Sequence, residues 1–174
     1  MVLANVMSRP GLRQLAALAI TAVLLAAASL MPQTAAAEQV EGEMPPMVQL
    51  VESPKSFAET VDAFRVEVER AGWSLLNETN MAGVLSARGY TIDPVIIFDA
   101  CSGRYSAEIL GHDEARPMSA FMPCRVSIYQ TSDETVFIAR MNSAAFTEMM
   151  DPMVAEVMAA SDAEISEIID ATIR

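Results

Sequence analysis

Cys101 and Cys124 are the only two thiols in the chain, and each falls at the edge of a predicted strand. Cys101 stands where an apolar strand hands over to a helix, so the helix N-terminus can stabilise its thiolate. Cys124 follows Pro123 and precedes Arg125, whose charge acts in the same direction. Arg104 and Tyr105 lie close to Cys101 in sequence and, with Arg125, are weaker candidates for the same site. Three readings stay open. A disulfide would close a loop of 23 positions and stabilise the fold by about 3 kcal/mol. A reactive pair would use Cys101 as attacking thiolate and Cys124 as resolving partner, in redox or sulfur-transfer chemistry. Two inert thiols would pack as small hydrophobes.

His112, the only histidine, falls between the cysteines in a loop with Asp113 and Glu114. Cys101, His112 and Cys124 offer S, N and S to a soft or borderline metal such as copper or zinc, at spacings that match no zinc-finger pattern. Met141, Met149, Met150, Met153 and Met158 cluster toward the C-terminus. Thioethers bind Cu(I), but Met149, Met153 and Val157 recur at helical steps, which predicts core packing or a partner groove. Glu148, Asp151 and Glu156 lack calcium-loop spacing. No Cys-x-x-Cys-His sequence occurs, which excludes covalent c-type haem. Nucleophile-elbow, phosphate-loop and dinucleotide fingerprints are absent too. No cofactor and no catalytic residue is assigned from the sequence.

The first 37 residues have the anatomy of a secretory signal peptide. Arg9 and Arg13 precede an apolar run from Leu15 to Leu30, and Ala35-Ala36-Ala37 offers a cleavage site. Cleavage there would export the protein, to the periplasm in a bacterium, and leave no membrane anchor; the competing reading is an uncleaved anchor, for which the apolar run is short beside the about 20 residues of a spanning helix. Residues 38–46, with Gly42 and the Pro45-Pro46 pair, read as a flexible linker, and residues 47–174 as a single domain. The whole chain carries a net charge of −12, which becomes −14 once the two leader arginines are removed. Such a balance argues against nucleic acid as a partner. The expected partner is a small ligand or an exported protein.

Val48 to Glu52 reads as a short strand. Ser56 and Glu59 have capping-box spacing ahead of Phe57, Val61, Phe64 and Val68, which share one helical face. Trp73 to Glu78 follows as a strand, and Asn80 can cap a helix from Met81 to Arg88. Pro94 introduces Val95-Ile96-Ile97-Phe98, a run that predicts a central strand covered on both faces. Ser102 can cap a helix through Leu110, and a polar loop spans His112 to Ser119. Met122–Gln130 and Thr135–Arg140 form a predicted hairpin. Ser143 to Arg174 is helical in pattern, with Pro152 opening a new helix and Ser161 with Glu164 either capping another turn or decorating a continuous one. The order predicts an α+β domain with a mixed sheet packed by helices.

From about Met47 to Ile173 these elements resemble the family called domain of unknown function 302. Two strand motifs carry the resemblance: Pro94-Val95-Ile96-Ile97-Phe98-Asp99-Ala100 running into Cys101, and Phe121-Met122-Pro123-Cys124-Arg125-Val126. Phe57, Thr60 and Phe64 of the opening helix and the Gly72-Trp73 step support them. Ser102-Gly103 stands where family members often carry an asparagine-proline pair. The resemblance implies a small α+β fold and a homodimer as an expectation, and it supplies no catalytic residues. Together these readings point to an exported binding or accessory domain with a ligand site near the two cysteines.

Overall fold

The computed structural model describes residues 47–174, so the predicted signal peptide and linker lie outside the described residues. Among the described residues no helix is long and apolar enough to cross a membrane.

Strand β1 (Val48–Ser53) leads to helix α1 (Phe57–Arg70). Ser56 caps α1 by accepting from the Glu59 N–H, and the Glu59 carboxylate accepts from the Ser56 N–H, as the spacing predicts. Strand β2 (Ser74–Asn80) runs directly into the short helix α2 (Met81–Ser86), capped by the Asn80 side chain. Strand β3 (Val95–Cys101) is followed by α3 (Gly103–Leu110), where Ser102 occupies the cap position but makes no side-chain cap bond. The loop expected after His112 instead holds a 3-10 turn, Arg116–Phe121. Strands β4 (Cys124–Gln130) and β5 (Val136–Met141) form the expected hairpin, with Glu134 at φ 69° in its turn. A second 3-10 segment, Ser143–Met149, precedes α4 (Pro152–Ile173), which runs unbroken past Ser161.

The sheet order is β1-β5-β4-β3-β2, and every neighbouring pair is antiparallel. The α+β class is as expected, but the sheet is not mixed. A helix the length of α2 or α3 rises only about 9–12 Å, whereas a seven-residue strand runs about 23 Å. Neither helix returns the chain to the start of the strand it follows, so the next strand runs back alongside.

Helices α1 and α4 cover one face. Val61, Phe64 and Val68 of α1 and Ile165, Ile168 and Ile169 of α4 meet Phe98, Val126, Ile128 and Ile138, with the Phe64 and Phe98 rings 5.1 Å apart. Strand β3 was expected to be covered on both sides, yet its burial alternates: Ile96, Phe98 and Ala100 are buried while Val95 and Ile97 are half-buried. The two long helices lie on the Phe98 side alone. On the opposite face Val48 and Leu50 of β1 remain 51% and 57% exposed.

A smaller apolar cluster joins Ile109 of α3 and Ala115 to Val154, Val157 and Met158 of α4. Met149, expected in the core or in a partner groove, is 84% exposed and so lies outside the core. It belongs to the 3-10 segment, so the helical phase shared by Met149, Met153 and Val157 is broken between residues 149 and 152.

Candidate functional site

The inward face of β5 ends in a charge. Val136, Ile138 and Arg140 alternate toward the helices, and Arg140 is only 8% exposed. An isolated guanidinium there would be prohibitively costly, so it must be paired and fully hydrogen-bonded. Asp162, in phase with Met158, Ile165 and Ile169 on the buried side of α4, supplies the counter-charge. Arg140 Nη1 donates to Asp162 Oδ1 at 2.5 Å and to the Met141 carbonyl at 3.2 Å. Its Nη2 donates to Asp162 Oδ2 at 3.1 Å and to Ser166 Oγ at 2.7 Å. Ser143 Oγ donates to Asp162 Oδ1 at 2.6 Å. Burial acts to raise the Asp162 pKa, but the hydrogen bonds from Arg140 and Ser143 and the Arg140 charge outweigh it and hold the carboxyl below its ordinary value.

This network forms one wall of a cavity of about 430 Å³. Met158, Ser161 and Ile165 of α4 line it from above, the turn around Phe121 and Met122 closes one side, and Cys124 and Val126 of β4 line the sheet side. The Met122–Pro123 peptide is cis. Asp99 and Arg125 also border the cavity, and Arg125 Nε donates to Asp99 Oδ1 at 3.2 Å. The four ionised groups at the cavity thus form two internal pairs, Arg140 with Asp162 and Arg125 with Asp99.

A second, narrow cavity of about 30 Å³ adjoins it under α3. Cys101 and Cys124 both line this space, and both are free thiols. The disulfide expected as one reading is therefore not formed. Ala100 pairs with Cys124, so Cys101 stands one residue further along β3, at its end, where the chain turns into α3. Cys101 Sγ lies 3.1 Å from Ser106 Oγ on α3, and Cys124 Sγ lies 3.9 Å from Ser161 Oγ on α4. Burial pushes the Cys124 thiol above its ordinary pKa, against the lowering effect of Ser161. This is opposite to the expectation that Arg125 would favour its thiolate. The Arg125 guanidinium is committed to Asp99, and its side chain is 68% exposed.

Of the weaker candidates, Tyr105 lines the narrow cavity and packs edge-on against Trp73. Arg104 instead pins α3 to α4, donating to Glu164 Oε2 at 2.5 Å and stacking over Tyr105 at 4.4 Å. His112 is exposed just beyond α3 and lines neither cavity. The Cys101, His112 and Cys124 ligand set is therefore not brought together. Among the described residues no group of three or more His, Cys, Asp and Glu side chains is placed to hold a metal. Sequence reasoning missed Arg140 and Asp162, although both continue a buried periodicity in which a charge is out of place.

The profile of the family described as "Domain of unknown function DUF302" matches residues 49–172. Among solved structures, the chain is similar to the "uncharacterized conserved protein DUF302 from Bacillus stearothermophilus". The two are 22% identical with a TM-score of 0.66, over 74% of this chain and 98% of that one. No curated protein matches the chain. The family match runs from the second residue of β1 to the last turn of α4, including both cysteines and the Arg140–Asp162 pair, and the chain belongs to the DUF302 family.

Proposed function

We propose that this is an exported, non-catalytic binding or accessory domain whose larger cavity holds a small, mainly apolar and uncharged molecule. The carrying observation is a cavity of about 430 Å³ whose lining is more apolar than polar and whose charges are internally paired. Its size falls within the range of about 300–1,000 Å³ typical of ligand pockets. An ionised ligand would enter without an uncommitted counter-charge deep in the cavity, and its desolvation would go uncompensated. A neutral molecule keeps its apolar part against Met122, Met158 and Ile165 and turns a hydrogen-bonding group toward Ser161. Export rests on the leader read in the sequence.

The test is a thermal-shift and calorimetric screen of neutral and charged small molecules against the protein and Ala120→Trp. Ala120 is exposed at the edge of the cavity, so the indole should plug it without disturbing the core. Neutral ligands should bind the parent and lose binding in the variant. Binding that survives the plug, or that charged ligands dominate, sinks the reading.

A second reading, thiol redox or sulfur transfer, is favoured by both thiols being free and lining one narrow cavity. In it Cys101 attacks a disulfide or sulfane substrate and Cys124 resolves the mixed intermediate, releasing the reduced sulfur and leaving a Cys101–Cys124 disulfide. Turnover lost in Cys101→Ser would support it over the binding role.

A further inference from the structure

The narrow cavity is lined by more sulfur than its two thiols. Met122, from the turn before β4, and Met158, from α4, border it together with Cys101 and Cys124. Four sulfur-containing residues from four parts of the fold thus line one space of about 30 Å³, enough for a single body of water or ion size. Neither nitrogen nor carboxylate competes, because no histidine, aspartate or glutamate lines it. The remaining polar neighbours are hydroxyls: Ser106 is 3.1 Å from the Cys101 sulfur and Ser161 is 3.9 Å from the Cys124 sulfur.

We propose that this cavity is a site for one soft monovalent cation, Cu(I), held by the Cys101 and Cys124 sulfurs with thioether donation from Met122 and Met158. Soft thiolate and thioether donors select Cu(I), whereas a structural zinc site takes four Cys, His or carboxylate ligands and this cavity offers two. Each thiol gives its proton to solvent as it binds. The Ser106 and Ser161 hydroxyls then turn their hydrogens to the thiolates, the outer-shell support that orients metal ligands. The site goes beyond the proposed ligand cavity, from which it differs in donors and size, although Met122, Cys124 and Met158 border both.

The experiment titrates the reduced full-length chain, without oxygen, with Cu(I) buffered by the chromophoric chelator bicinchoninate. One Cu(I) per chain should leave the chelator, with a sulfur-to-copper absorption band appearing in the near ultraviolet. Cys101→Ser should weaken binding by more than the about 10–100-fold typical of losing an outer-shell partner. Met158→Leu, a volume-conserving swap that keeps the fold, should weaken it about 10-fold or more. His112→Ala, at a residue that lines neither cavity, should bind as the parent does. Failure to withdraw Cu(I), undiminished binding in Cys101→Ser, or equal affinity for Zn(II) overturns the proposal.

Discussion

Replacing Asp162 by asparagine keeps the side chain's shape and removes its charge, which isolates the buried Arg140. In the parent protein the carboxylate receives two hydrogen bonds from Arg140, one from the Ser143 hydroxyl and support from the Ser143 backbone. The Arg140 and Asp162 side chains are only 7% and 10% exposed, so little solvent reaches them to replace a lost partner. Breaking such a pair from one side costs about 3–5 kcal/mol. With a urea dependence of about 1.5 kcal/mol per molar, the midpoint should fall by about 2–3 M. Urea unfolding followed by far-ultraviolet circular dichroism measures this, with equal slopes required for the comparison. Because that loss is a large part of a typical stability of about 5–15 kcal/mol, Asp162→Asn alone can fail to fold. Arg140→Met with Asp162→Leu supplies the control: it removes both charges and should be more stable than Asp162→Asn. The pH dependence follows from the same pair. The folded carboxyl has a lowered pKa, so its contribution is present above the unfolded value of about 3.9 and is lost as pH falls through the folded value. The parent should therefore lose stability more steeply than the double variant below about pH 4. An Asp162→Asn protein within about 1 kcal/mol of the parent would refute the reasoning, because the pair would then not behave as buried.

Four further outcomes are expected. Thiol titration after denaturation without reductant should find two free thiols per chain, and finding none would contradict the unbridged geometry. In the native protein Cys124 should alkylate more slowly than in the unfolded chain at mildly alkaline pH. Its raised folded pKa means that its stabilising contribution is present below the unfolded thiol value and lost as pH rises through the folded one. Ser56→Ala, which removes the α1 cap, should cost about 1 kcal/mol in urea unfolding. Phe64→Ala, at a fully buried ring packed on Phe98, should cost about 3–5 kcal/mol.

Elements with local signatures were legible in the sequence. Ser56 and Glu59 announce α1 because a capping box is satisfied within four residues, and the β4–β5 hairpin follows from two apolar runs with a polar turn. Sheet direction was not legible, since strand–helix alternation looks alike for parallel and antiparallel returns. The difference lay in the lengths of α2 and α3 relative to the strands they follow. At the site, Cys101, Cys124 and Tyr105 were found because thiols and aromatics next to strand ends attract attention, and they do line one cavity. Arg140 and Asp162 were missed because charges are read as surface. The signal lay in phase: Arg140 continues the Val136, Ile138 alternation, and Asp162 falls between Met158 and Ile165 on the buried side of α4. His112, a weaker candidate from the start, stays exposed and apart from both cavities, because a place between the cysteines in sequence does not bring it between them in space.

Helix α4 ties these observations together. Within eight residues it provides Met158 and Ser161 to both cavities, Asp162 to the buried ion pair, and Ile165 to the core. The pair fixes the rotation of α4 against β5, since a bidentate guanidinium–carboxylate contact tolerates little change in angle. That rotation sets how far Met158 and Ser161 reach toward Cys124, and with it the width of both cavities. An apolar pair of equal volume could match the ion pair in stability, but would hold the helix with less directional constraint. The buried charges therefore find their physical rationale in the shape of the space beside the thiols. On this argument, Arg140→Met with Asp162→Leu should perturb ligand and Cu(I) binding even where stability is retained.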